Sequence, residues 1–262
     1  MKRYLKPFAI LVFATVFPIW VIEQIPWKHL PVHKMWLGIS IHLVQTLISL
    51  AFFRIFVGKG VVRNPLSRGW RTWLAVLFVF GMVNWPAIVT VSTRAQSIVD
   101  VLLAFIFTMS IGLDEEMFSR KFAFNLFKPL GLPFAVAISS IHFGAMHYTN
   151  YLWGFQSLIE TIGQMIIATA FGVLCCALYL VSGKLIFPIV MHALVDMPHQ
   201  FSDSPTPDTS GTAQQVSFDW LGTFMYSFYY LLCAAILFFV YRVKTNKAYR
   251  DLYFVEEPVQ TL

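Results

Sequence analysis

The sequence predicts an all-α polytopic membrane bundle of about eight transmembrane helices, with both termini cytoplasmic. Three observations carry this. First, 58% of the 262 residues are hydrophobic and only 12% charged, with a mean hydropathy of +0.68. A soluble domain carries about 25% charged residues, so the chain has half the polar coating a globule in water needs. Second, apolar runs recur at the length of a bilayer crossing, about 20 residues each. Third, the basic residues are sorted to one side of those runs.

Eight apolar segments stand out in order: 8–22, 35–57, 70–91, 97–113, 132–148, 160–182, 185–197 and 220–241. The first has the basic start and apolar stretch of a signal peptide. Pro18, Trp20 and Trp27 occupy the place of a small-residue cleavage site, so it is read as a span. The one polar connection, 200–215, is rich in Ser, Thr, Pro and Asp and reads as a solvent loop. With the N-terminus inside, 16 of the 19 basic residues fall on the cytoplasmic side; Lys28, Lys34 and Arg94 fall outside. The formal charge of +6 is thereby a topology signal, and no nucleic-acid partner is expected. Cys175, Cys176 and Cys233 sit inside apolar runs without ligand spacing and read as small buried hydrophobes. The whole chain, 1–262, is expected to form one integral membrane domain.

Ionisable residues within spans cost several kcal/mol and are functional candidates by default. Three clusters qualify: 114–120 at the cytoplasmic end of the fourth segment, 139–147 in the fifth, and 188–196 in the seventh. Glu116 and Arg120 are four apart with Glu on the N-terminal side, the favourable order for an ion pair. Glu115 is turned about 100° from Glu116 and is expected to face a different partner. Two adjacent carboxylates repel each other, so one stays paired with Arg120 while the other is left to exchange a proton. Glu115 is the candidate general base and Glu116 the paired, structural acid. Taken alone, this cluster also fits an interfacial charge belt.

His192 and Asp196 share a helix face two to three turns into the membrane from Lys184, too deep for a headgroup belt. Phe143 and His147 share another face, while His142 points elsewhere and reads as a packing or hydrogen-bonding residue. A straight helix would hold His147 well away from Glu115. Bringing them together requires a tilted or extended fourth helix, or a late start to the fifth near Pro133.

A carboxylate base with two histidines in a membrane cavity suits hydrolysis. Glu115 and His147 would activate water, and His192 with Asp196 would hold the oxyanion of a tetrahedral intermediate. Serine chemistry lacks support, since no Gly-x-Ser-x-Gly elbow exists and Ser139 and Ser140 have no base at helical spacing. No zincin helix occurs either. No cofactor is required; a divalent metal, if bound, would be held by Glu115, His147 and His192.

At these residues the chain resembles the CAAX protease and bacteriocin-processing family of intramembrane proteases. The family pattern is Glu-Glu-x-x-x-Arg, then Phe-x-x-x-His, then His-x-x-x-Asn or Asp. Here it reads Glu115-Glu116-Met-Phe-Ser-Arg120, Phe143-Gly-Ala-Met-His147 and His192-Ala-Leu-Val-Asp196, in the family order. The resemblance implies a glutamate-dependent endopeptidase with a catalytic core over 114–197. Glu115 would be the base, assisted by His147, with His192 and Asp196 at the oxyanion and Phe143 in support. It implies water activation without metal, although members have been described as metalloproteases. Position 196 is Asp where the eukaryotic members have Asn. The implied partners are a peptide or protein substrate, such as a leader-bearing bacteriocin or another membrane peptide, and the lipid bilayer of a bacterial cell. Two other classes compete: a bacteriocin self-immunity protein without essential proteolysis, and a small proton-coupled transporter. The transporter ranks last because no duplicated halves are visible.

Overall fold

The computed structural model describes residues 2–24, 34–58, 70–201 and 219–253. Trp27, Lys28, Lys59, Arg63, Arg68 and most of the 200–215 loop lie outside the described residues. Within them the chain is all-α, and each of the eight apolar segments is one long helix. The helices are α1 (Lys2–Glu23), α2 (Lys34–Phe52), α3 (Trp70–Arg94) and α4 (Ile98–Glu116). They continue with the short α5 (Phe124–Phe127), α6 (Leu132–Met146), the short α7 (Thr149–Leu152), α8 (Leu158–Ser182), α9 (Ile186–Asp196) and α10 (Trp220–Tyr253).

Five of these, α1, α2, α3, α8 and α10, are long and apolar enough to cross a membrane. The other three long helices carry the motifs. The last turn of α4 contains Asp114, Glu115 and Glu116. The 15 residues of α6 and the 11 of α9 span about 22 and 16 Å at 1.5 Å per residue, short of a hydrocarbon core of about 30 Å. Helices α6 and α9 are therefore shorter than an ordinary span.

Helix α8 is the axis of this arrangement and the most deeply buried of the spans. Its start is fixed by a capping box: the Ser157 hydroxyl accepts from the Glu160 amide, and the Glu160 carboxylate accepts from the Ser157 amide at 2.9 Å. Gly183, with φ of 65°, ends it. Helices α6, α9 and α10 all pack against it, and α9 also lies along α4.

The fourth segment runs further than hydropathy indicates. After Glu116 the chain continues as a π-helix over Met117–Ala123 and then into α5, turning only at Gly131, where φ is 115°. α6 starts immediately after it, with Pro133 in its first turn. Of the two ways of bringing the fourth and fifth segments together, the extended fourth helix is present. The extension puts Arg120 and Phe122 in the protein interior instead of at a headgroup belt.

Close helix approach is set by glycine, as in other membrane bundles. A methyl added at Gly112 of α4 would lie 2.8 Å from the Ile189 carbonyl of α9, and one at Gly172 of α8 would lie 3.0 Å from the Ser140 Cα of α6. Gly112 thus sets the distance between the carboxylates of α4 and His192. Gly112→Ala is expected to lower the melting temperature of the detergent-solubilised protein by several degrees, despite alanine's better helix propensity. Overpacking of this kind costs about 1–3 kcal/mol. Gly81→Ala, where the methyl meets nothing within 4 Å, should leave it unchanged or raise it.

Candidate active site

Three consecutive carboxylates leave the end of α4 about 100° apart, and each is met by a histidine. Asp114 turns towards α2, where its Oδ2 lies 3.1 Å from His42 Nδ1. Glu116 turns into the interior: its Oε1 is 3.0 Å from Arg120 Nη1 and 3.2 Å from His192 Nδ1. Glu115 lies between them, with Oε2 3.6 Å from His192 Nε2. From α9 itself, Asp196 Oδ2 reaches the same Nε2 at 3.3 Å. Glu115 and Glu116 therefore do not face different partners, as the helical angle led us to expect. They approach the same imidazole at its two nitrogens, because α9 crosses α4 closely at Gly112.

The site has a closed side and an open side. Glu116 and Arg120 are 0% exposed, whereas the side chains of Glu115 and Asp196 are 31% and 30% exposed. On the closed side, Arg120 Nη2 donates to the Gly172 carbonyl at 3.1 Å, and its guanidinium lies 4.6 Å from the centre of the Phe143 ring. Charge-assisted bonds and an aromatic face replace the water a buried arginine has lost. The His192 ring is clamped edge-to-face between Phe143 and Phe171, with centroids 5.6 and 5.4 Å away.

His147 stands one ring further out. Its imidazole packs on Phe143 at 5.3 Å, so Phe143 touches Arg120, His147 and His192 together. His147 Nδ1 lies 3.1 Å from the Phe143 carbonyl, which can only accept, so Nδ1 carries the proton. That leaves Nε2 as the nitrogen without a partner among the described residues. The structure brings Glu115, Glu116, Arg120, Phe143, His192 and Asp196 into one cluster, and His147 joins it through Phe143.

His142 faces away from the cluster. Its Nε2 is 2.7 Å from the Thr15 hydroxyl of α1, and its ring stacks on Phe118. Ser139 donates to the Ala135 carbonyl and also touches Cys176, as does Ser140; neither hydroxyl meets a base. The three cysteines are buried and free. Among the described residues, no group of three or more His, Cys, Asp or Glu is arranged to hold a metal ion.

His42 was not singled out from the sequence, although the signal was there: it is an ionisable residue in the middle of the second apolar segment. Asp114 was seen only as part of a charged run, and its partner on α2 gives it a position of its own.

The model of the family described as Type II CAAX prenyl endopeptidase Rce1-like matches residues 95–198, from the turn before α4 to just past α9. Over this segment the chain is similar to the CAAX protease family. No curated protein and no solved structure matches it. The matched segment contains all three motifs, and helices long and apolar enough to cross a membrane lie before, within and after it in the chain. His42 on α2 and all of α10 lie outside the matched segment.

Removing one partner of a buried ion pair leaves the other charge stranded and costs about 3–5 kcal/mol. Arg120→Met is therefore expected to destabilise the protein strongly in chemical denaturation. The double variant Glu116→Gln/Arg120→Met should recover a large part of that loss, since no net charge is then left buried.

Proposed function

We propose that the chain is a glutamate-dependent intramembrane endopeptidase that hydrolyses a peptide bond with a carboxylate-activated water. The observation that carries this reading is the asymmetry of the two adjacent glutamates. Glu116 is fully buried and committed to Arg120 and His192, while Glu115 is partly exposed with only a 3.6 Å approach to His192. A committed carboxylate fixes the ring, and an uncommitted one at the open side is free to take a proton.

In this reading a water sits against Glu115, with the His147 side of the cavity behind it. Glu115 takes a proton from the water as the water oxygen bonds to the scissile carbonyl carbon, and the carbonyl electron pair moves onto its oxygen. His192, held by carboxylates at both nitrogens, directs a positive ring edge to that oxygen and stabilises the charge formed there. The intermediate collapses with cleavage of the C–N bond, and the proton held by Glu115 passes to the leaving nitrogen. One peptide leaves with a new amine and the other with a new carboxylate.

The substrate is a peptide or protein segment that reaches the cavity from within the bilayer, such as a leader-bearing bacteriocin or another membrane peptide. The protein's location would then be a bacterial cell membrane. Burial of the reacting bond in a site walled by short helices and aromatic rings keeps competing water away and strengthens each electrostatic contact.

Glu115→Gln preserves the shape of the side chain and removes the base. It is expected to lower cleavage of an internally quenched peptide library by about 10²–10⁴-fold, with unchanged helical circular dichroism and melting temperature. Cleavage at the wild-type rate by Glu115→Gln would refute the assignment.

A further inference from the structure

The open side of the site is short of hydrogen-bond donors. Glu115 and Asp196 are acceptors, and the Nε2 of His192 is already shared between them at 3.6 and 3.3 Å. His147 presents a lone pair. The nearby hydroxyls of Thr108 and Ser110 are spent on carbonyls of their own helix at 3.0 and 2.7 Å. An oxyanion forming between two carboxylates has only the shared edge of His192 to draw on, and these groups offer no second donor.

Tyr230 of α10 carries one. It is 8% exposed, and its ring meets Phe171 edge-to-face at 5.2 Å, on the aromatic that also holds His192 at 5.4 Å. Among the described residues its hydroxyl makes no hydrogen bond. The carboxylate whose charge acts on it is Asp196. We infer that Tyr230 is a catalytic residue whose hydroxyl donates a hydrogen bond to the scissile carbonyl oxygen as that oxygen becomes negative. The proton stays on the phenol throughout, and the tyrosine contributes only when charge develops. This inference rests on the peptidase reading above and adds a group from outside the segment that matches the family.

The test uses the full chain in proteoliposomes with the internally quenched peptide library. Tyr230→Phe keeps the ring on Phe171, so the melting temperature should not change. Its kcat is expected to fall by about 10²-fold, the usual effect of losing one oxyanion donor, with KM unchanged. Adding Asp196→Asn supplies an amide donor beside the vacant place and should restore part of the lost kcat. A structural role for Tyr230 would give no such rescue. An activity-free arm measures binding of a peptide phosphonamidate, a tetrahedral mimic. Tyr230→Phe should weaken it by the same factor while leaving the parent peptide's affinity unchanged. If Glu115→Gln is inactive but Tyr230→Phe retains wild-type kcat and phosphonamidate affinity, this inference fails and the peptidase reading stands. If Glu115→Gln cleaves as well as wild type, or wild type cleaves nothing and binds no phosphonamidate, both fall.

Discussion

The buried pair between Glu116 and Arg120 is the constraint around which the site is arranged. Neither side chain has any exposed surface, so each charge depends on its partners, although Arg120 Nε and Glu116 Oε2 make no hydrogen bond. Arg120 draws on three helical segments for this: the carboxylate at the end of α4, the Gly172 carbonyl of α8 and the ring of Phe143 on α6. Glu116 adds a fourth by taking His192 of α9. Each motif of the family pattern supplies one side of the same enclosure.

The π-helix between Met117 and Ala123 belongs to this constraint. A π-turn widens the helix and shifts the residues after it around the axis, and such turns gather at functional sites. Here it carries Arg120 and Phe122 into the core and Phe118 onto His142. The same continuous run from α4 to α5 brings the end of the fourth segment beside α6. Glycines at 112 and 172 let the flanking helices approach closely enough for 3.0–3.6 Å contacts between side chains.

Much of this could be read from residue order alone, and the parts that could not have definite physical reasons. Spacing of four residues placed Glu116 against Arg120 and His192 against Asp196, because an α-helix repeats nearly every four residues and both pairs lie within or next to one. Hydropathy located eight helices. It did not separate full spans from the shorter α6 and α9, because it reads apolar content and not where a helix starts and stops. It ended the fourth segment at 113, where charge begins, although the helix continues because that charge is enclosed. The meeting of Glu115 and Glu116 on one imidazole was illegible, since it depends on how α9 crosses α4. His42 was within reach of the rule that an ionisable residue inside a span marks a site, and it was passed over because it sits in none of the three motifs.

The division of labour among the three acids follows from their position along one turn. Consecutive residues on a helix cannot share a face, so a run of Asp-Glu-Glu must present its charges to three directions. In a soluble protein those directions would be mostly water. Here Asp114 is received by His42, Glu116 is sealed in with Arg120, and only Glu115 keeps an open edge. Neutralising its two neighbours leaves Glu115 as the exposed carboxylate of the run, opposite a ring already held by Glu116 and Asp196. The open acid is thereby distinguished from the two enclosed ones. The distinction is made by how completely each carboxylate is already bonded, and the rest of the bundle serves to keep those bonds unequal.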